Sequence, residues 1–272
     1  MDPGLRILVC GSGDVGSAVA HLLFEAGYRV FIHDSAQPTA TRRKMAFTDA
    51  IFDGSALLDD VWAQRADSLD DLETLLAAGR LIPLTTLALP LVLEGLAPAV
   101  LVDARMKKHQ QPETQLRLAP LTIGLGPNFI AGETVHLAVE TGRGENLGRV
   151  ISQGATETLH GEPNSINGHA RDRYVYAPLA GVFRTDLHIG DRVVMGQEIA
   201  RIDGTPLLAP IAGALRGLTH DGVPVLLKSK VIEIDPRAGD AQIAGIAGRP
   251  ARIAQGVLQA IRDWEQKPAC LS

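Results

Sequence analysis

Glycines at positions 11, 13 and 16, with Ser12 and Asp14 between them and an acid at Asp34, are spaced to hold a phosphate-bearing ligand. Gly11 permits a tight turn, Gly13 lets the main chain approach a pyrophosphate, and Gly16 lets a helix lie close to the preceding strand. The N–H groups that open such a helix face the anion. Asp34 follows Gly16 by 18 residues, where a carboxylate can accept both hydroxyls of an adenine ribose. Asp14 is either a helix cap favoured by the helix dipole or a sign that the ligand is not ordinary NAD. Arg42 and Arg43 either meet a 2′-phosphate or another phosphate, or belong to a solvated loop.

Other residues offer further chemistry. Asp103 and Arg105 follow a strand, where they either contact a ligand or pair with each other. A second glycine turn, Gly124-Leu125-Gly126-Pro127-Asn128, is a phosphate cradle or a purely structural turn, since Pro127 supplies no donor. Cys10 lies beside a helix start, which would lower a thiol's pKa and suit sulfur or selenium transfer. As the last residue of an apolar run it reads better as a buried thiol. His136, in a strand-like run, reads as a core histidine, and His160 and His169 lack the spacing of a zinc site. With no GxSxG, HExxH or CxxC present, no nucleophile–base pair can be named.

The elements that must position these residues follow from periodicity. An apolar run over 5–10, a helix with Val15, Val19, Leu22 and Leu23 on one face, and a second run over 29–33 form a βαβ unit. Met45, Phe47, Ala50, Ile51 and Phe52 suggest a short helix. Further strands are predicted over 61–66, 81–86 and 99–103, with a helix capped by Ser68 and Asp71 and another over 87–96. This gives an open parallel sheet, a Rossmann-like nucleotide-binding domain over 1–105. A middle, glycine-rich β/loop region covers 106–172, with an exposed loop over 106–118. Over 173–237 the chain is duplicated: Ala177-Pro178-Leu179-Ala180-Gly181 recurs as Ala209-Pro210-Ile211-Ala212-Gly213, 32 residues on. Gly190, Val193, Ile202 and Asp203 match Gly222, Val225, Ile234 and Asp235 at the same offset. Two interlocked halves predict a barrel-sandwich hybrid domain resembling biotinyl and lipoyl carriers. The carrier lysine is missing, because the relevant turn is Asp203-Gly204-Thr205-Pro206. A helix beginning at Pro250 and a tail complete the chain over 238–272. The predicted fold class is therefore α/β plus β.

Composition bounds the setting. At 272 residues, with net charge −5 and a pI near 5.9, the chain is a poor nucleic-acid partner. No run approaches the ~20 apolar residues of a membrane span. The start of the chain leaves no room for a signal peptide, and two cysteines fit a reducing cytoplasm.

The order of motifs resembles a known family, the YqeB-type proteins of the selenium-dependent molybdenum-hydroxylase system. The resemblance is carried by Gly11-Ser12-Gly13-Asp14, Arg42-Arg43 with Met45-Ala46-Phe47, and Val102-Asp103-Ala104-Arg105-Met106. It extends through Ile123-Gly124-Leu125-Gly126-Pro127, Glu140-Thr141 with Arg143-Gly144, Leu147-Gly148-Arg149-Val150, and Ile234-Asp235-Pro236-Arg237. Cys10 and Glu145 depart from the family pattern, which has arginine and histidine there. The resemblance implies an accessory or maturation factor that presents a nucleotide-bearing cofactor, a molybdopterin dinucleotide, to a xanthine-dehydrogenase-type molybdenum hydroxylase. Its ligand contacts would be Gly11, Ser12, Gly13, Asp14, Gly16, Asp34, Arg42, Arg43, Asp103, Arg105, Gly124 and Gly126. The residues alone leave two alternatives: an NAD(P)-dependent oxidoreductase, or a non-catalytic nucleotide-sensing scaffold.

Overall fold

The apolar run before the first glycine forms β1 (Arg6–Cys10), buried along nearly its whole length. In this computed structural model, which describes residues 4–107, 111–158 and 165–266, β1 leads into α1 (Asp14–Glu25) and β2 (Arg29–His33). There follow α2 (Asp49–Asp53), β3 (Ser55–Leu58), β4 (Val61–Ala66), α3 (Leu69–Ala78) and β5 (Ile82–Thr85). Then come α4 (Leu89–Leu96), β6 (Val100–Asp103), β7 (Leu121–Leu125), β8 (Ile130–Ala131) and β9 (Leu137–Val139). β10 (Val150–Ile151) and β11 (Gly154–Ala155) end this part. The cap of α3 is built as its residues require: Ser68 Oγ accepts the Asp71 N–H at 3.0 Å, and Gly79 closes the helix in the left-handed region.

The strands join into one sheet of order β10-β9-β7-β6-β1-β2-β5-β4-β3. This corrects the expected open parallel sheet with a separate glycine-rich segment. β7 lies in parallel register beside β6, and β9 beside β7. Leu121, Ile123, Leu125 and Val139 thereby extend the same core as Ile7 and Val9. Burying those side chains together, rather than in a second small core, is the physical reason the middle segment joins the sheet. The sheet is also mixed. β3 forms an antiparallel hairpin with β4, and β10 runs antiparallel to β9. The loop segment at 108–110 and His160 lie outside the described residues.

The duplicated region holds β12 (Tyr174–Tyr176), β13 (Gly181–Arg184), β14 (Arg192–Val193), β15 (Glu198–Ile202) and β16 (Thr205–Leu208). The second copy holds β17 (Gly213–Leu218), β18 (Pro224–Val225) and β19 (Lys230–Asp235). They form two four-stranded antiparallel sheets, β12-β19-β17-β14 and β16-β15-β13-β18, over a shared apolar core. Each copy lends its short middle strand to the other's sheet: β14 pairs with β17, and β18 with β13. The expected biotinyl/lipoyl-like barrel-sandwich hybrid is corrected to this pair of sheets, whose remaining edges are supplied by β12 and β16. The chain closes with α5 (Gly248–Glu265), which packs along α1 on one face of the large sheet. α3 and α4 cover the opposite face. No helix among the described residues is long and apolar enough to cross a membrane.

Close approach makes Gly16 irreplaceable, since a Cβ there would lie 1.9 Å from the Gly11 carbonyl oxygen. Gly16→Ala is expected to cost about 3 kcal/mol or more, because main chain rather than a flexible side chain must yield. Urea denaturation of the two proteins checks it.

Candidate functional site

β1 sits between β2 and β6, and the chain leaves it in one direction and returns on the other side. The crevice beyond the carboxyl ends of β1 and β6 is where open α/β sheets take ligands. Gly11 turns the chain there with φ +108°, and its N–H donates to the His33 carbonyl at 2.8 Å. A Cβ on Gly11 would meet the Ala104 main chain at 3.0 Å, whereas Gly13 faces open space. The rest of the loop is held by its own neighbours. Ser12 donates both its N–H and its hydroxyl to Asp34 Oδ2, each at 2.7 Å, while Asp34 Oδ1 accepts the Ser35 N–H at 2.7 Å. Asp14 Oδ1 accepts the Val15 N–H at 3.0 Å, and its other oxygen accepts from Arg42. The Asp34 carboxylate, expected on a ribose, is thus bonded to the loop itself.

The remaining sequence-nominated residues fall into separate settings. Asp103 is buried and accepts from the Arg105 N–H (3.1 Å), Nε (2.9 Å) and Nη2, and from Gln115 Nε2 (2.6 Å). Burial pushes its pKa up, but the hydrogen bonds and charge of Arg105 outweigh this and hold it below the usual carboxylate value. Gln115 Oε1 is buried without a partner among the described residues. Cys10, 1 % exposed, has its pKa pushed up to about 12 by burial, with Asp103 adding to the rise. It is a thiol, without the thiolate character a transfer cysteine needs. Gly124 makes room for the Phe129 ring, which a Cβ would overlap at 2.3 Å. Gly126 turns with φ +98°. His136 Nδ1 accepts the Thr122 N–H at 3.1 Å and burial lowers its pKa. His169 pairs with Asp172. Among the described residues, His21, Glu25 and Asp60 alone bring three ligand atoms together, and each His21 ring nitrogen already faces a carboxylate, at 3.2 and 3.3 Å.

A second, larger constellation lies where the strap after β2 meets the β17–β19 sheet. Arg42 bridges the two parts: Nη1 donates to Asp14 Oδ2 at 3.0 Å, and Nε and Nη2 donate to the two oxygens of Glu233 at 2.9 and 3.0 Å. Arg43 Nε donates to the Leu218 carbonyl at 2.8 Å and Nη1 to Asp49 at 2.7 Å. Leu218 returns its N–H to the Thr41 carbonyl at 2.7 Å. Glu233, fully buried, also accepts from Arg173 at 2.7 Å and Lys230 at 3.1 Å. Arg216 Nη1 stands 3.7 Å from the same carboxylate and 4.0 Å from Asp235, which Arg237 already holds at 2.9 and 2.6 Å. Burial opposes the charge on Glu233, but Lys230 and Arg42 hold its pKa far below the carboxylate range. The register shift between Leu215 and Gly217 makes Arg216 the extra residue of a bulge, a device that re-aims a side chain. The Nε atoms of Arg173 and Arg216 are buried and bonded to nothing among the described residues. Sequence reasoning missed Glu233, Arg173, Arg216 and Lys230. The available signal was a charged residue set inside the apolar run Val231-Ile232-Glu233-Ile234.

No family profile matches the chain. Over 255 residues it is 37% identical to the Escherichia coli (strain K12) protein called "Uncharacterized protein YqeB", covering 94% of this chain and 47% of that protein. The match supports a YqeB-type family. The chain spans about half the length of the curated relative it matches, and the match carries nothing about a selenium-dependent hydroxylase system. Among solved structures, it is similar to a succinylglutamate desuccinylase/aspartoacylase from Rhodobacter sphaeroides, with 19% identity over 55% of this chain and 60% of that one and a TM-score of 0.22. It is also similar to a succinylglutamate desuccinylase from Silicibacter sp. TM1040, with 12% identity over 85% and 84% and a TM-score of 0.25. An aspartoacylase family protein from Mesorhizobium loti has 11% identity over 85% and 84% and a TM-score of 0.24. At these scores they lend this chain no reaction. The matched relative's name carries no role, and the maturation role with its dinucleotide cofactor is withdrawn because Asp34 and Asp14, two of its expected ligand contacts, bond the chain's own groups. The NAD(P) and nucleotide-scaffold alternatives are withdrawn with it, since Asp34 and Asp14 are spent on the chain's own groups.

Two measurements check these environments. Glu233→Gln is expected to cost about 3–5 kcal/mol, because it strips a buried cluster of its central anion. Since the folded pKa of Glu233 lies below the unfolded value of about 4.3, its stabilisation is full above that value and is lost as pH falls below it. The variant's stability should therefore decline less steeply than the wild type's on acidification. Separately, native Cys10 should resist iodoacetamide at neutral pH and react after unfolding, as read by peptide mass mapping.

Proposed function

We propose that this chain binds a small organic anion in the seam between the strap after β2 and the β17–β19 sheet. The observation that carries the reading is the pair of buried guanidinium groups, Arg173 and Arg216, each with an Nε that has no acceptor among the described residues. A buried donor left unsatisfied costs roughly 1–3 kcal/mol, and an arginine cannot shed its proton to escape it. The charge balance points the same way. Arg42, Arg173, Arg216 and Lys230 surround Glu233, while Asp14 pairs with Arg42, and Asp235 is held by Arg237 with Arg216 4.0 Å away. A carboxylate or phosphate would take the open donors and neutralise the excess. Of the residues nominated from sequence, Arg42 belongs to this cluster and Gly13 offers an unobstructed face beside it through Asp14. Arg105, a third exposed and tied to Asp103, lines the carboxyl edge of the sheet.

Thermal unfolding with lactate, citrate or phosphate, at ionic strength matched with chloride, tests the reading. An anion at a hundred times its Kd should raise Tm by about 5 °C, and Arg216→Gln should remove most of that gain. Equal Tm values in every anion and in chloride would refute it.

A further inference from the structure

Glu233 is one carboxylate serving several cations, and only one of them is able to become neutral. Arg42 takes both oxygens, Arg173 takes Oε1, and Lys230 Nζ takes Oε2 at 3.1 Å. Arg216 waits 3.7 Å away. Guanidinium groups stay protonated in proteins, whereas an ε-ammonium crowded by other cations gives up its proton readily. Lys230 is also the reachable member: its side chain is 32% exposed, against 3% for Arg173 and 10% for Arg216. Its Nζ lies 4.7 Å above the Tyr174 ring, whose hydroxyl accepts from Arg173 at 2.7 Å. An amine thus sits on the more exposed side of the cluster, which also holds the buried, unbonded Nε atoms of Arg173 and Arg216. Burial pushes the Lys230 ammonium below its ordinary value, Glu233 opposes this, and Arg42 reinforces it.

We propose that Lys230 is a carbonyl-reactive amine, and that the anion of this seam is a 2-oxo acid held through its carboxylate by Arg216 and Arg173. This rests on the anion-binding reading above. In the reaction the Nζ lone pair forms a C–N bond to the keto carbon as the carbonyl π bond opens. A proton passes from nitrogen to that oxygen, giving a carbinolamine. The C–O bond then breaks and water leaves, so that amine and 2-oxo acid are converted to imine and water with no oxidant or reductant. A lysine freed of its proton is the usual agent of this chemistry.

The test uses the intact wild-type chain incubated at neutral pH with pyruvate and sodium cyanoborohydride, whose hydride reduces any imine to a stable amine, followed by peptide mass mapping. Lys228, exposed two residues away, is the internal control. The expected result is modification of Lys230 at least about tenfold above Lys228, because the carboxylate donors hold the keto acid beside that amine alone, and much weaker modification by acetone, which lacks the carboxylate. Equal labelling of the two lysines overturns the proposal, as does equal labelling by acetone and pyruvate. Lactate, which has the carboxylate but no ketone, separates the two readings. A Tm rise with lactate alongside unselective trapping leaves the anion site standing and removes the imine. Selective trapping of Lys230 by pyruvate without any Tm response to lactate or other anions keeps the reactive amine and removes the general anion site.

Discussion

One carboxylate, Glu233, holds the protein's two halves to each other. It is fully buried, and a lone anion in that position would be prohibitively costly to desolvate. It persists because guanidinium groups from distant parts of the chain converge on it: Arg42 from the strap after β2, and Arg173 from the turn before β12. Arg42 then reaches on to Asp14 at the opening of α1. The hydrogen bonds run without a break from the first helix to the last strand of the duplicated region. Buried ion clusters of this kind are poor sources of net stability, yet breaking one is severe. Their natural role is to fix one arrangement among several, and here they set how the large sheet faces the smaller ones.

That seam is tight as well as charged. Gly217 lies where a Cβ would come within 3.2 Å of Thr41 and 3.1 Å of Glu233. Leu218 donates its main-chain N–H to the Thr41 carbonyl across it. Lys44 also crosses the seam, donating to the Ile189 carbonyl at 2.8 Å. The residues that could do chemistry therefore sit in a rigid setting, with their directions set by packing and not by loop flexibility. The bulge at Arg216 belongs to the same design, since it turns a basic side chain toward the seam from a strand that is otherwise buried.

Local pattern makes the first βαβ unit legible in the amino-acid sequence. Gly11 and Gly16 mark close approaches that only glycine permits, and Val15, Val19 and Leu23 pack the helix face. The cap of α3, the helix from 248 and the duplication are equally readable, because each depends on residues near one another in sequence or on a simple repeat. What occupies the glycine turn is not legible. A carboxylate at Asp34 suits a ribose and suits the Ser12 N–H and hydroxyl alike, and spacing cannot choose between them. Arg42 and Arg43 illustrate the same limit. Phosphate or solvent are the options visible from the strand preceding them, whereas their partners are Glu233 and Leu218, 191 and 175 residues away. Strands β7 and β9 are visible as strands, but their membership of the large sheet depends on a register that no local signal encodes.

The exchange of β14 and β18 between the two copies has a consequence for the history and assembly of the chain. Neither copy owns a complete sheet, so neither can mature while the other is still being synthesised. Folding there must await the full length of the pair, at the entropic cost of closing contacts between distant segments. A repeat entangled in this way also cannot shrink back to a single unit: deleting one copy would take a strand out of the sheet that remained.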